Sequence, residues 1–132
     1  MQNANVTTVR TGYEAYARGD LSRMLRFIDP ELEWTFLDPS FEDPEPRVCH
    51  GRQKLQTALE RQAGRGLTSE LEDVIDDGDR VVVVVRTPGI DAYRVRQAED
   101  RNYDVLTVHE GRIVAIHACR DREEALRVAG LG

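Results

Sequence analysis

Asp104 is a carboxylate where an apolar residue is expected. It interrupts the run Tyr103-x-Val105-Leu106-x-Val108, and the two-residue period of a strand puts it on the face of Leu106 and Val108. A carboxylate on an apolar face must be paired, protonated or set at a rim. As chemistry, that describes a general acid or base; as structure, it describes half of an ion pair or a rim charge. His117 and Cys119 are two apart on a predicted strand and so share a face. Zinc needs three or four ligands, and no H-E-x-x-H, C-x-x-C or carboxylate cluster completes that pair, so no metal is expected. Nucleophilic triads and phosphate-cradling glycine loops are absent; Gly64-Arg65-Gly66 lacks the third glycine of a dinucleotide loop. No cofactor is expected.

The composition narrows the partners. The chain has 132 residues, which fits one domain over 1–132 with a core that needs no disulfide staples. Eighteen Lys and Arg against 24 Asp and Glu give a net charge of −6, a poor match for a phosphate backbone, so nucleic acid is not an expected partner. No apolar run is long enough to span a bilayer, and no membrane partner is expected. No basic segment followed by an apolar one opens the chain, and Cys49 and Cys119 are far apart. The expectation is a cytoplasmic protein with two free thiols.

The elements that position these residues follow from periodicity. Val6, Val9, Tyr13, Tyr16 and Ala17 recur at helical spacing and predict a first helix over 6–18, ended by Gly19. Asp20 caps a short second helix burying Leu21, Met24, Leu25 and Ile28, and Asp29-Pro30 is expected to stop it. Leu32, Trp34 and Phe36 alternate with polar residues and predict a strand. Three prolines predict a loop over 38–47. A third helix is predicted over 52–63, with Leu55, Ala58 and Leu59 inward and glycines 64 and 66 closing it. Strands follow over 68–75 and 80–86. The second contains five valines, 81–85, which implies a strand covered on both faces. Residues 87–101 are ambiguous, and a strand is possible from Ala92. Segments 103–109 and 112–120 flank Glu110-Gly111, a two-residue hairpin signal. Asp121 then caps a last helix, with Glu124 in capping-box position and Gly130 at its end.

This order predicts an α+β fold, a curved antiparallel sheet wrapped around N-terminal helices as a cone with an internal pocket. The valine strand requires a dry second face. A second copy is its simplest cover, so a homodimer through the outer sheet face is expected.

Several segments carry a resemblance. Tyr13-Glu14-Ala15-Tyr16-Ala17-Arg18-Gly19-Asp20-Leu21, Asp29-Pro30-Glu31-Leu32-Glu33-Trp34, His50-Gly51-Arg52, Glu110-Gly111-Arg112-Ile113-Val114 and Asp121-Arg122-Glu123-Glu124-Ala125-Leu126 keep their order along nearly the whole chain. Together they resemble the SnoaL-like members of the nuclear transport factor 2-like superfamily. The resemblance implies a pocketed cone and a sheet-to-sheet dimer. It does not imply one reaction, since the superfamily includes ketosteroid isomerases, polyketide cyclases, epoxide hydrolases, dehydratases and non-catalytic domains.

In the resembling isomerases an aspartic acid before the closing hairpin donates a hydrogen bond to an oxyanion, in an apolar site that keeps it neutral. Counted back from Gly111-Arg112, that position is Asp104. A plain hairpin would set Asp104 opposite His117; a bulge within 113–116 would instead put Ile116, Ala118 and Arg120 on its face, and the resemblance favours the bulge. Arg120 stands where the family has a bulky apolar residue. It would clamp a substrate carboxylate or enolate, or neutralise Asp104. The isomerases' general base aligns with Phe36, with Asp38 two residues on at the cavity mouth. Their oxyanion tyrosine aligns with Gly12, and Tyr16 lies one turn further. His50 falls where the family points an aromatic at the cavity; an imidazole there titrates near neutral pH and suits a general base, and its plain alternative is a histidine at a solvent edge. Trp34 and Phe36 would line the cavity wall.

Two readings result. In the first, the chain binds a small apolar ketone or polyketide-like molecule and performs cofactor-free isomerisation, cyclisation or dehydration. Asp104 and His50 are then catalytic, and Tyr16, Trp34, Phe36, Ala118 and Arg120 bind the ligand. In the second, the chain is a non-catalytic ligand-binding or dimerisation domain in which Asp104 and Arg120 form a structural pair.

Overall fold

The computed structural model describes residues 4–36, 45–66, 69–86 and 101–130, apart from the side chain of Asp77. Asp38 and the segment around Ala92 lie outside the described residues.

Helix α1 (Ala4–Ala17) buries Val6, Val9, Tyr13 and Tyr16 along one stripe, filled in by Gly12 and Ala15. Gly19 turns the chain at φ +84°, and the Asp20 carboxylate accepts the Arg23 N–H at 3.1 Å to cap α2 (Leu21–Leu25). Helix α2 ends well before Asp29-Pro30, the expected stop. Both residues instead lie inside strand β1 (Ile28–Phe36). The strand tolerates Pro30 because its pairing slips between Ile28 and Glu33, so the missing N–H falls outside the regular ladder. Strand β2 (Arg47–His50), within and just beyond the expected loop, is an addition to the sequence reading. Four residues are too few to show a period; pairing with β1, Trp34 opposite Cys49, makes them a strand.

Helix α3 (Arg52–Gly64) follows, then β3 (Glu70–Asp77), β4 (Arg80–Arg86), β5 (Arg101–His109), β6 (Arg112–Cys119) and α4 (Arg122–Ala129). The Asp121 carboxylate accepts the Glu124 N–H at 2.8 Å, and Gly130 ends α4 at φ +86°. The β5–β6 turn has positive φ at both Glu110 (50°) and Gly111 (77°), the twist a tight two-residue hairpin demands.

The six strands form one curved, unclosed sheet in the order β2-β1-β6-β5-β4-β3. Four of its pairings are antiparallel, as expected. The β1–β6 pairing is parallel, so the sheet is mixed. No hairpin links β1 to β6; the whole middle of the chain separates them, which permits a parallel neighbour.

Helices α1 and α3 pack on one face of the sheet, with α2 between them. Their core joins Val9, Tyr13 and Tyr16 to Ile28, Leu32, Val81, Val83, Leu106 and Ile116. Helix α4 packs on the other face, against β4, β5 and β6. There Val82, Val105 and Cys119 meet Ala125 and Ala129, whose small side chains let the helix come close. The valine strand is thus buried on both sides, as its sequence requires. The chain's own last helix supplies the outer cover over the sheet's centre, where a second copy was expected.

Candidate functional site

The β5–β6 hairpin sets the site. Val108 pairs with Ile113 and His109 with Arg112, but Thr107 pairs with Ala115, so Val114 is bulged out of the ladder. The shift places Asp104 opposite Ala118, the bulged alternative of the two registers. On its other side Asp104 lies opposite Val83 of β4. Asp104 is half-buried on the helix-covered face, between an alanine and a fully buried valine, with Leu106 two residues along.

Of the two buried tyrosines of α1, Tyr13 and not Tyr16 feels the charge of this carboxylate. Tyr13 is buried, and its phenol is held far above the usual range, chiefly by burial and further by the negative charge of Asp104. Its hydroxyl therefore stays protonated as a donor in an apolar surrounding. Tyr16 turns aside: its hydroxyl donates to the Leu59 carbonyl at 3.4 Å, and its phenol is raised by burial. The sequence showed Tyr13 only as a member of the apolar stripe. Gly12, where the resemblance puts a tyrosine, packs towards Phe27 and Met24 of the α2 region.

Trp34 and Phe36 share the helix-covered face, Trp34 opposite Ile116. Their rings are tilted at 33° with centroids 5.0 Å apart, a half-buried aromatic wall. Ala118 is the small residue beside Asp104. Arg120 has the expected parity, but it reaches helix α4: its Nη1 lies 3.5 Å from Glu124 Oε2, and its backbone N–H donates to Glu124 Oε1 at 3.4 Å. Part of its charge is engaged there.

His50 lies apart from this group. It is exposed and pairs across β1 with Glu33, on the face away from α1. Its neighbour Cys49, opposite Trp34, has the inward parity. The cause is the one-residue phase of β2, an element the sequence did not reveal. Cys49 and Cys119 are free thiols. Cys119 lies under α4, its Sγ 3.7 Å from the His117 carbonyl oxygen. Its thiol is pushed up to about 12, first by burial and then by Glu124, Asp104 and Asp121, against an opposing pull from Arg127. Among the described residues no three His, Cys, Asp or Glu side chains are grouped to hold a metal ion. Nor does any described helix have the length and apolarity to cross a membrane.

Comparison with known proteins places this arrangement. The chain is similar to Bal32a from a soil-derived mobile gene cassette, at 23% identity and a TM-score of 0.68, with 92% of each chain covered. It is similar to a nuclear transport factor 2-like protein of unknown function from Burkholderia pseudomallei, at 25% identity and a TM-score of 0.64, over 97% of this chain and 98% of that one. It is also similar to IdmH of Streptomyces antibioticus, a candidate polyketide cyclase, at 20% identity and a TM-score of 0.66, over 97% and 99% of the two chains. No curated protein matches the sequence. The structural likenesses establish the fold. The family comes from the sequence: the profile of the SnoaL-like domain matches residues 9–116, from the α1 stripe through the β5–β6 bulge. This chain therefore belongs to the SnoaL-like domain family.

Proposed function

We propose that the helix-covered face of the sheet binds a small apolar molecule, a ketone or polyketide-like compound, and acts on it by cofactor-free acid–base chemistry of isomerase, cyclase or dehydratase type. One observation carries this reading: Asp104, set among apolar neighbours on that face, is electrostatically coupled to the buried Tyr13 phenol. The family match and the candidate polyketide cyclase among similar structures support it.

The roles follow from the groups. Asp104 takes a proton from, or gives one to, the carbon skeleton. The Tyr13 hydroxyl, kept protonated, donates to the ligand oxygen where negative charge develops. Trp34 and Phe36 provide an apolar wall, and Ala118 leaves room beside the carboxyl group. Free thiols are consistent with a cytoplasmic setting. A homodimer would use the outer face that α4 leaves uncovered. There Val48, the one large hydrophobic side chain exposed among the described residues, pairs across β1 with Thr35, which in turn neighbours His117. Val48→Lys should then give a monomer in sedimentation, and an unchanged mass would remove that interface.

The test of the site is binding of a fluorescent naphthol, an enolate mimic, to the wild type and to Asp104→Asn across pH. Binding that follows one ionisation in the wild type and changes in the variant supports the acid–base site. Binding that is identical in both makes the chain a ligand-binding domain without Asp104 chemistry. No binding at any pH favours the dimerisation-domain reading.

A further inference from the structure

Helices α2 and α3 border a cleft whose lining shares no residue with the face of Tyr13 and Asp104. It measures about 280 Å³ and is lined by Ser22, Leu25, Arg26, Arg52 and Gln56. Ser22, the second residue of α2, and Arg26, its C-cap, are four apart, and Arg52 and Gln56 are four apart at the start of α3, so each pair presents one side of its element. Arg52 Nη1 donates to the carbonyl oxygens of Leu25 at 3.4 Å and Ile28 at 3.3 Å. Those bonds fix the guanidinium in the wall and leave its other N–H groups available, since a guanidinium carries five. The Arg26 guanidinium makes no hydrogen bond or ion pair among the described residues. No lining side chain is acidic, in a chain whose net charge is −6. Two guanidiniums and no carboxylate among the described lining residues make that lining positive in a concave site.

We propose that this cleft binds a phosphate-bearing small molecule, its phosphate between Arg26 and Arg52. The Ser22 hydroxyl and the Gln56 amide would supply further donors, and Leu25 an apolar contact for the ester carbon. A single guanidinium satisfies a carboxylate, whereas two guanidiniums plus a hydroxyl and an amide suit a doubly charged group with three terminal oxygens. The volume sets the size. Pockets for larger organic ligands run from roughly 300 to 1,000 Å³, and this cleft, at about 280 Å³, suits a phosphate ester of a few carbons.

The experiment is an NMR titration of the full chain at constant ionic strength with inorganic phosphate, glycerol phosphate and acetate. The proposal expects saturable shifts at the Ser22, Arg26 and Gln56 amides and at the Arg26 and Arg52 side-chain N–H signals, with both phosphates binding more tightly than acetate. Arg26→Gln should weaken phosphate binding by about tenfold. Its melting temperature without ligand should not change, because Arg26 is exposed and makes no side-chain bond among the described residues. Ser22→Ala, another exposed position, should weaken binding by a smaller factor. Non-saturating shifts spread over the surface arginines, acetate binding as tight as phosphate, or unchanged affinity in both variants would each overturn the assignment.

Discussion

Asp104 of β5 and Tyr13 of α1 are linked by charge on the helix-covered face of the sheet: the charge of Asp104 adds to burial in keeping the Tyr13 phenol protonated. Everything proposed for the site depends on that pair. An ionisable carboxyl group and a phenol locked as a donor are complementary: one can change charge, and the other can only stabilise charge that appears elsewhere.

The two buried tyrosines should separate in their effects. Tyr13→Phe keeps the ring and removes the hydroxyl, so naphthol affinity should fall by about tenfold, the worth of one hydrogen bond in a dry site. Tyr16→Phe loses only the long bond to the Leu59 carbonyl. It should cost about 0.5–1 kcal/mol in stability and leave binding unchanged. Urea unfolding and fluorescence titration of both variants check this.

Asp104→Asn should leave stability equal or higher. The substitution removes a charge that is partly desolvated among Ala118, Val83 and Leu106. Turnover of any ketone substrate should be abolished. A loss of several kcal/mol in urea unfolding would instead mark Asp104 as one half of a structural ion pair.

Alkaline pH should destabilise the fold. Cys119, Tyr13 and Tyr16 all hold their protons to higher pH in the folded chain than in the unfolded one. Below about pH 9 neither state has lost these protons, and the stabilisation is fully present. As pH rises the unfolded chain ionises first, at the thiol from about 9 and at the phenols from about 10, so stability falls. Thermal melts from pH 7 to 11 should show the decline beginning near 9. In Cys119→Ala it should begin near 10. A flat profile would contradict the buried, protonated state of these groups.

Much of this was legible in the sequence because it is local or periodic. The α1 stripe, the Asp20 and Asp121 caps, the valine strand and the Glu110-Gly111 turn each follow from a few adjacent residues. Asp104 could be found because alternation put a carboxylate on an apolar face. What the sequence withheld depends on contacts between distant segments. Strand β2 exists only by pairing with β1, and its phase decides that Cys49 and not His50 has inward parity. Pro30 reads as a helix stop until the slipped pairing of β1 is seen. Helix α4 shows an amphipathic pattern, but nothing local says which face of the sheet it covers. Tyr13 and Tyr16 are indistinguishable members of one stripe until the fold lets the charge of Asp104 act on only one of them.

A double-mutant cycle measures the central pair most directly. Naphthol affinity would be determined for the wild type, Tyr13→Phe, Asp104→Asn and the double variant at one pH. The account predicts that the two losses are not additive, with a coupling of about 1 kcal/mol or more, as for groups that act on one ligand atom together. Losses that sum to within about 0.5 kcal/mol would show two independent residues and contradict a shared site.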